Sequence, residues 1–215
     1  MVNILLLAPP AAGKGTQAEL LKEEFNLYHI STGDLLREAS NKNDEFGLSL
    51  REILKSGSLV KDDIVLTLLE NKLQGLSNGF LLDGFPRNIN QAVELDKMLL
   101  KEDKNLDYVF FLDVDSSILE KRITGRRMCK ECGKIYNIFN YNDSICTCGG
   151  SLYQREDDTK EAFQIRYKTY LDSTLPLVDY YQKKGILYKI DASLEIDKVN
   201  KEITSIIGKK EVSND

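Results

Sequence analysis

The stretch Leu5–Leu21, LLLAPPAAGKGTQAELL, decides the fold. An apolar run breaks at Pro9-Pro10, passes through Gly13-Lys14 and gives way to residues spaced for a helix. The common phosphate-binding loop reads G-x-x-x-x-G-K-[ST] between a buried strand and a helix. Here Ala8 stands at the first glycine position, and Gly15 separates Lys14 from Thr16. Gly13 allows close backbone approach, and a helix beginning near Lys14 aims unpaired N–H groups and a positive dipole end at an anion. The Lys14 ammonium can reach a terminal phosphate as a point charge. A plain strand–helix corner with an exposed lysine fits the same residues, and the loop alone leaves both readings open.

Outward from this corner the pattern alternates. Short apolar runs at Val2–Ala8, Tyr28–Ile30, Phe80–Asp83, Tyr108–Asp113 and Leu187–Ile190 read as buried strands. Helix-period segments lie between them at Thr16–Phe25, Asp62–Leu73, Ile89–Leu100 and Ser116–Arg126, and a long one at 160–184 is expected to kink or split at Pro176. Strands alternating with helices imply an α/β fold with a parallel sheet covered on both faces. Two segments break the alternation. Ser31–Lys61 is helical and polar, and Arg127–Asp158 is rich in Cys, Gly, Asn and Tyr. Both read as insertions projecting from the carboxyl ends of strands, where open α/β sheets bind ligands.

The 215 residues suffice for one sizeable core with a small inserted unit. A net charge of −5 argues against binding nucleic acid or an anionic membrane through overall charge. No apolar run approaches the roughly 20 residues of a membrane span, and the amino-terminal apolar run has no basic segment ahead of it. The expected location is cytoplasmic. The terminal GKKEVSND is expected to fray.

Asp83 ends the FLLD run and places a carboxylate at the carboxyl edge of the sheet beside the first loop, where a Walker-B-type Asp holds Mg²⁺ directly or through water. A turn or helix cap for the Asn88 segment is the competing role. His29, the one histidine, ends a strand and reads as structural. Cys129-x2-Cys132 and Cys146-x-Cys148 fall within one short window, and in a reducing compartment that favours a metal site over disulfides. Four thiolates would close a tetrahedral Zn²⁺ site with no open position. Reduced thiols without metal and a disulfide are the alternatives. Arginine is scarce, 8 residues against 21 lysines, so each guanidinium is worth locating.

In order and spacing, PPAAGKGTQ, HISTGDLLR, LVKDDIV, FLLDGFPRN with Gln91 beyond it, KRITGRRMC, YQREDD and RYKTY resemble the adenylate kinases of the long-lid type with a zinc-binding lid. The resemblance runs from the first strand to about Ala192. It implies a P-loop NTPase-like five-stranded parallel sheet of order 2-3-1-4-5. The core would comprise residues 1–30, 61–126 and 159–215, with a monophosphate-binding domain at 31–60 and a zinc-binding lid at 127–158.

It also implies reversible Mg²⁺-dependent transfer of the ATP terminal phosphoryl group to AMP, giving two ADP, by a monomer. Thr32, Arg37, Leu59, Val60, Gly84, Arg87 and Gln91 match AMP-binding positions, with Gln91 reading the adenine edge. Ala11, Ala12, Gly13, Lys14, Gly15 and Thr16 match the ATP loop. Arg122 and Ala192 match the ATP base site, and Arg126 its phosphates. Arg122 and Arg126, four residues apart, are expected on one helical face. Arg155 and Arg166 match arginines that converge on the transferring group and also serve AMP, with Asp157 and Asp158 orienting them. Lys14, Asp83, Arg87, Arg126, Arg155 and Arg166 form the implied catalytic set.

Three departures stand out. Ala8 and Ala11 occupy positions commonly glycine in this family, and Ala192 follows Asp191 where Asp-Gly is common. The second cysteine pair is one residue shorter than usual, so Asp143 is an alternative fourth ligand. A nucleoside monophosphate kinase preferring CMP, UMP or GMP, and a zinc-containing nucleotide sensor without turnover, are the rival readings.

Overall fold

Ile4, Leu5, Leu6 and Leu7 are all buried, as a strand covered on both faces requires. They form β1 (Ile4–Leu7), the centre of a parallel sheet in a computed structural model that describes residues 2–56 and 58–212. The chain continues through α1 (Lys14–Phe25), β2 (Tyr28–Ser31), α2 (Thr32–Ser40), α3 (Glu45–Ser56), α4 (Asp62–Leu73), β3 (Phe80–Asp83), α5 (Ile89–Lys101), β4 (Tyr108–Asp113) and α6 (Ser116–Thr124). A small sheet follows, with β5 (Arg126–Cys129), β6 (Ile135–Asn137) and β7 (Leu152–Tyr153) in the order β6-β5-β7. Then come α7 (Lys160–Thr169), α8 (Pro176–Lys183), β8 (Leu187–Asp191) and α9 (Ile196–Val212). The main sheet has the order β2-β3-β1-β4-β8, the expected 2-3-1-4-5 with three small-sheet strands intervening in the chain.

The two-residue period of β1 divides the core. Leu5 and Leu7 face a cluster with Leu82, Val109 and Phe111, completed by residues of α4, α5 and α8. Ile4 and Leu6 face the opposite cluster with Leu81 and Phe110, completed by α1, α6 and α9. Parallel pairing aligns Leu6 with Asp83 of β3 and with Phe110 of β4, so the loop after β1 and the end of β3 open at one edge.

Several expected boundaries move. The segment expected to be helical over Ser116–Arg126 stops at Thr124 as α6, because Arg126 opens β5 and pairs with Asn137. Arg122 and Arg126 therefore do not share a helical face. The long segment ahead of the last strand splits as expected, but through a π-helical turn at Tyr170–Thr174, where Leu175 N donates to Tyr170 O. Pro176, lacking an N–H, starts α8 at a position where none is needed. In the terminal GKKEVSND, the α9 backbone runs on to Val212, and the remaining three residues lie outside those described.

Truncating a central-strand side chain removes contacts that its neighbours cannot replace. Leu5→Ala is expected to destabilise by about 3 kcal/mol, lowering Tm by about 6–12 °C for a chain of this size. Calorimetry reads it directly, and a shift below about 2 °C would contradict a closely packed β1.

Candidate active site

The loop after β1 solves its geometry in two steps. Ala12 N donates to Pro9 O at 3.3 Å, and Ala11 carries φ +67°, the positive third position of a type II turn with Pro10 before it. Gly13 then takes φ +91° and caps α1 without a side-chain hydrogen bond. The first turn of α1 holds no acidic residue, so its N–H groups stay available to an anion. Ala8 and Ala192 carry no left-handed strain, since Ala11, Asn26 and Asp103 are the positive-φ non-glycines among the described residues.

Lys14 Nζ lies 2.8 Å from Asp83 Oδ1 at the end of β3. Burial alone would raise the Asp83 pKa, but Lys14, aided by His29, outweighs it and holds the carboxyl well below the usual range. His29 places Nδ1 3.2 Å from Glu19 and Nε2 3.5 Å from Asp83. Burial opposes its protonation, yet the two carboxylates raise its pKa. It lines the cleft beside Asp83 and pairs with that carboxylate.

Gly84 follows with φ +85°, and a Cβ there would come within 2.9 Å of Thr32 Oγ1. This turn presents Arg87, whose Nε donates to Gly84 O at 2.8 Å. Burial and the nearby Arg166 guanidinium pull the Arg87 pKa down to about 10. Arg155 is likewise drawn to about 10 by burial and then by Arg37. Arg37 is held by Asp34 at 2.5 Å, Arg166 by Asp157 at 2.9 Å, and Arg126 Nε by the buried Asp158 at 2.9 Å. The acidic pair thus steers Arg126 and Arg166. Arg155 instead faces Asp34 at 3.9 Å, because Asp157 and Asp158 are adjacent and take different arginines.

These groups line one cleft of about 1170 Å³. Ala11, Ala12, Gly13, Lys14, Gly15, Thr16, Arg37, Asp83, Arg87, Arg122, Arg126, Arg155, Arg166 and Ala192 all face it. Arg122 donates to Ala192 O at 3.1 Å, closing one end. Thr32, Val60 and Gln91 line a cavity of only about 20 Å³, shared with Leu59, Gly84 and Arg87. That is room for a water rather than a base. Gln91 is already clamped, its Nε2 donating to Asp62 at 2.6 Å and its Oε1 accepting from Arg87 N at 2.7 Å.

In the small sheet the four cysteine sulfurs lie within 4.8 Å of one another, and Asp143 is not among the converging ligand atoms. The pairs Cys129–Cys148, Cys132–Cys146 and Cys132–Cys148 are each 3.5 Å apart. Tetrahedral Zn–S bonds of about 2.3 Å put sulfurs about 3.8 Å apart, so the donor set fits zinc. The shortened pair reaches the cluster because Gly149 N donates to Cys146 O at 2.8 Å, with Gly149 at φ +88°. The Cys148 N–H and the Tyr136 hydroxyl pull the Cys146 thiol down to about 6.

A family-wide sequence profile described as "Adenylate kinase" matches residues 6–186. The chain belongs to the adenylate kinase family. An adenylate kinase of Thermosipho africanus is 45% identical over 212 residues, covering 96% of this chain and 99% of the relative. Those of Archaeoglobus fulgidus and Borrelia duttonii are each 44% identical, covering 97% and 98% of this chain and 99% of the relatives.

Around the cleft, sequence reasoning missed several supporting groups. Asp62 accepts from Gln91, Asn88 and Asn90. Asp34 stands between Arg37 and Arg155, Thr174 donates to Arg87 O at 2.8 Å, and Gln17 Nε2 donates to Ile196 O at 2.9 Å. Asp34 and Asp62 each lie in the first turn of a helix and could have been found only as helix-dipole partners. Nothing local marks Thr174.

The two loop alanines separate in experiment. Ala8→Gly is expected to lower stability by about 0.4–1 kcal/mol through the unfolded chain. Ala11→Gly incurs the same loss but relieves about 1 kcal/mol of left-handed strain, leaving Tm unchanged or higher. Paired melting curves check it, and equal losses from both variants would contradict the strained turn.

Proposed function

We propose that the cleft transfers the terminal phosphoryl group of ATP to AMP and back, giving two ADP. The observation that carries this reading is the convergence of Lys14, Arg37, Arg87, Arg126, Arg155 and Arg166 on one cleft beside a helix N-terminus. An AMP phosphate is already anionic and nucleophilic, so no general base is needed. Its oxygen forms the new bond to the γ-phosphorus as the bond to the β–γ bridging oxygen breaks, and ADP leaves. The difficulty lies in holding two polyanions in line and stabilising the charge of the transferring group.

The parts divide by position. The α1 N-terminus and Lys14 hold the ATP phosphates, with Arg126 closing over them. Arg122 and the Ala192 carbonyl wall the ATP base. Arg37 and Arg87 clamp the AMP phosphate, while Arg155 and Arg166 reach the transferring group. Thr32, Leu59, Val60, Gly84 and Gln91 receive the AMP base, and their small cavity must widen as it enters. The ionised Asp83 carboxylate suits Mg²⁺, directly or through water, and bound Mg²⁺ neutralises phosphate charge. The four cysteines hold a structural Zn²⁺ that stiffens a lid comprising residues 127–158, against core segments 1–30, 61–126 and 159–215 and a monophosphate-binding segment 31–60. Thiolate ligation suits a reducing, cytoplasmic setting, and we assign a monomer.

Purified protein with Mg-ATP, offered AMP, CMP, UMP, GMP and dTMP separately, should form diphosphate fastest with AMP. No turnover with any acceptor overturns the reading, and a faster rate with CMP reassigns the base. Arg87→Ala should raise KM for AMP at least tenfold while changing KM for ATP far less; equal effects would move Arg87 off the AMP side.

Metal analysis should find one zinc per chain. Its removal by a chelator should lower Tm, since binding free energy at such a site is folding free energy.

A further inference from the structure

Tyr136 belongs to β6, and its side chain stands between the cleft and the cysteine cluster. Its hydroxyl lies 3.1 Å from Cys146 Sγ and 3.1 Å from Thr147 Oγ1, and it accepts from Thr147 N at 3.2 Å. A phenol has one hydrogen to give and two lone pairs to accept with. A metal-bound thiolate carries no proton, so the hydroxyl hydrogen goes to Cys146 Sγ. The two lone pairs then take Thr147 N–H and the Thr147 hydroxyl hydrogen. Every hydrogen-bonding capacity of the phenol is used, and three of its contacts converge on Cys146 and Thr147.

Thr147 is the single residue between Cys146 and Cys148. A one-residue spacer leaves the chain little slack to bring both sulfurs onto one ion. The Tyr136 hydroxyl clamps that spacer by its N–H and its side chain together. The ring is held in turn by Tyr141, with centroids 4.2 Å apart, while the Tyr141 hydroxyl donates to Ile145 O at 2.8 Å. Only one tyrosine of the pair touches a sulfur.

Resting on the zinc reading of the cysteine cluster, we propose that Tyr136 is a positioning residue for that metal: its hydroxyl donates to the Cys146 thiolate and fixes the shortened Cys146-Thr147-Cys148 bridge in ligating geometry. Outer-shell hydrogen bonds of this kind typically contribute 10- to 100-fold in metal affinity.

The test uses the full chain and two variants, Tyr136→Phe and Tyr141→Phe, which keep both rings and remove one hydroxyl each. Zinc affinity is measured by competition with a chromogenic chelator. Tyr136→Phe should weaken zinc about 10- to 100-fold, whereas Tyr141→Phe should stay within about threefold of the parent. In the Co²⁺-substituted proteins, loss of a hydrogen bond to sulfur raises the sulfur lone-pair energy. The thiolate-to-cobalt charge-transfer band of Tyr136→Phe should therefore shift to longer wavelength, and that of Tyr141→Phe should not. An unchanged affinity in Tyr136→Phe, an equal loss in both variants, or a loss without the band shift overturns the assignment. Failure of the parent chain to bind zinc at all overturns the metal reading itself, a separate outcome.

Discussion

Arg87, Arg155 and Arg166 are all desolvated along one cleft, and keeping so much positive charge out of water is the constraint around which the site is arranged. Like charges held close in a poorly solvated place are tolerated only where counter-charge is supplied. The chain supplies it unevenly. Arg37, Arg126, Arg166 and Lys14 each have a carboxylate partner, in Asp34, Asp158, Asp157 and Asp83. Arg87 donates to a carbonyl instead. Asp83 and Asp157 offset only part of its desolvation, so on the function proposed above a phosphate there would add negative charge that the protein itself does not place in contact with Arg87. The same logic sets the helix α1 N-terminus, free of acidic residues, opposite the arginines.

Much of this was legible in the sequence, for physical reasons that differ by element. Buried parallel strands advertise themselves as apolar runs, so Phe80–Asp83 and Tyr108–Asp113 were located to the residue. Helices with a strong start signal did equally well; α4 opens on Asp62-Asp63 as a helix dipole prefers. The end of α6 was misread, because Thr124-Gly125-Arg126 continues a plausible periodicity that only the pairing of Arg126 with Asn137 overrides. The π turn at Tyr170–Thr174 was invisible beyond the Pro176 that accompanies it. At the site, the family resemblance singled out the arginines, with Asp157 and Asp158 beside them, and their scarcity made each worth locating. The carboxylates of Asp34 and Asp62 were not legible, since they look like any helix-initiating residues until folding brings Arg155 to the one and Gln91, Asn88 and Asn90 to the other.

Two departures from the family pattern are absorbed locally rather than by rearranging the fold. Ala11 accepts an unfavourable backbone conformation because Pro10 presets the turn and Gly13 completes it. The strain stays inside one turn and leaves the β1 register untouched. The shortened cysteine pair is accommodated by left-handed Gly149, whose N–H donates to Cys146 O, as left-handed Gly133 donates to Cys129 O after the first pair. Gly150 must stay bare for the same cluster, since a Cβ there would come within 2.7 Å of Cys129 Sγ.

The small sheet has almost no core. Between residues 127 and 158 the buried apolar side chains are Cys129 and Cys146, both members of the sulfur cluster. Three short strands cannot hold a defined shape on that burial alone. Yet Arg126 opens its central strand and Arg155 follows its last one, so both guanidiniums inherit their positions from this sheet. A metal ion substitutes for the missing core in other small units, and here it would do so at the far end of the strands that carry the arginines. Phosphate-handling groups need placement within about 0.5 Å to act in a transition state. On the function proposed above, the demand on the cysteine cluster is therefore set by the cleft: a loosely held small sheet would bring Arg126 and Arg155 out of position.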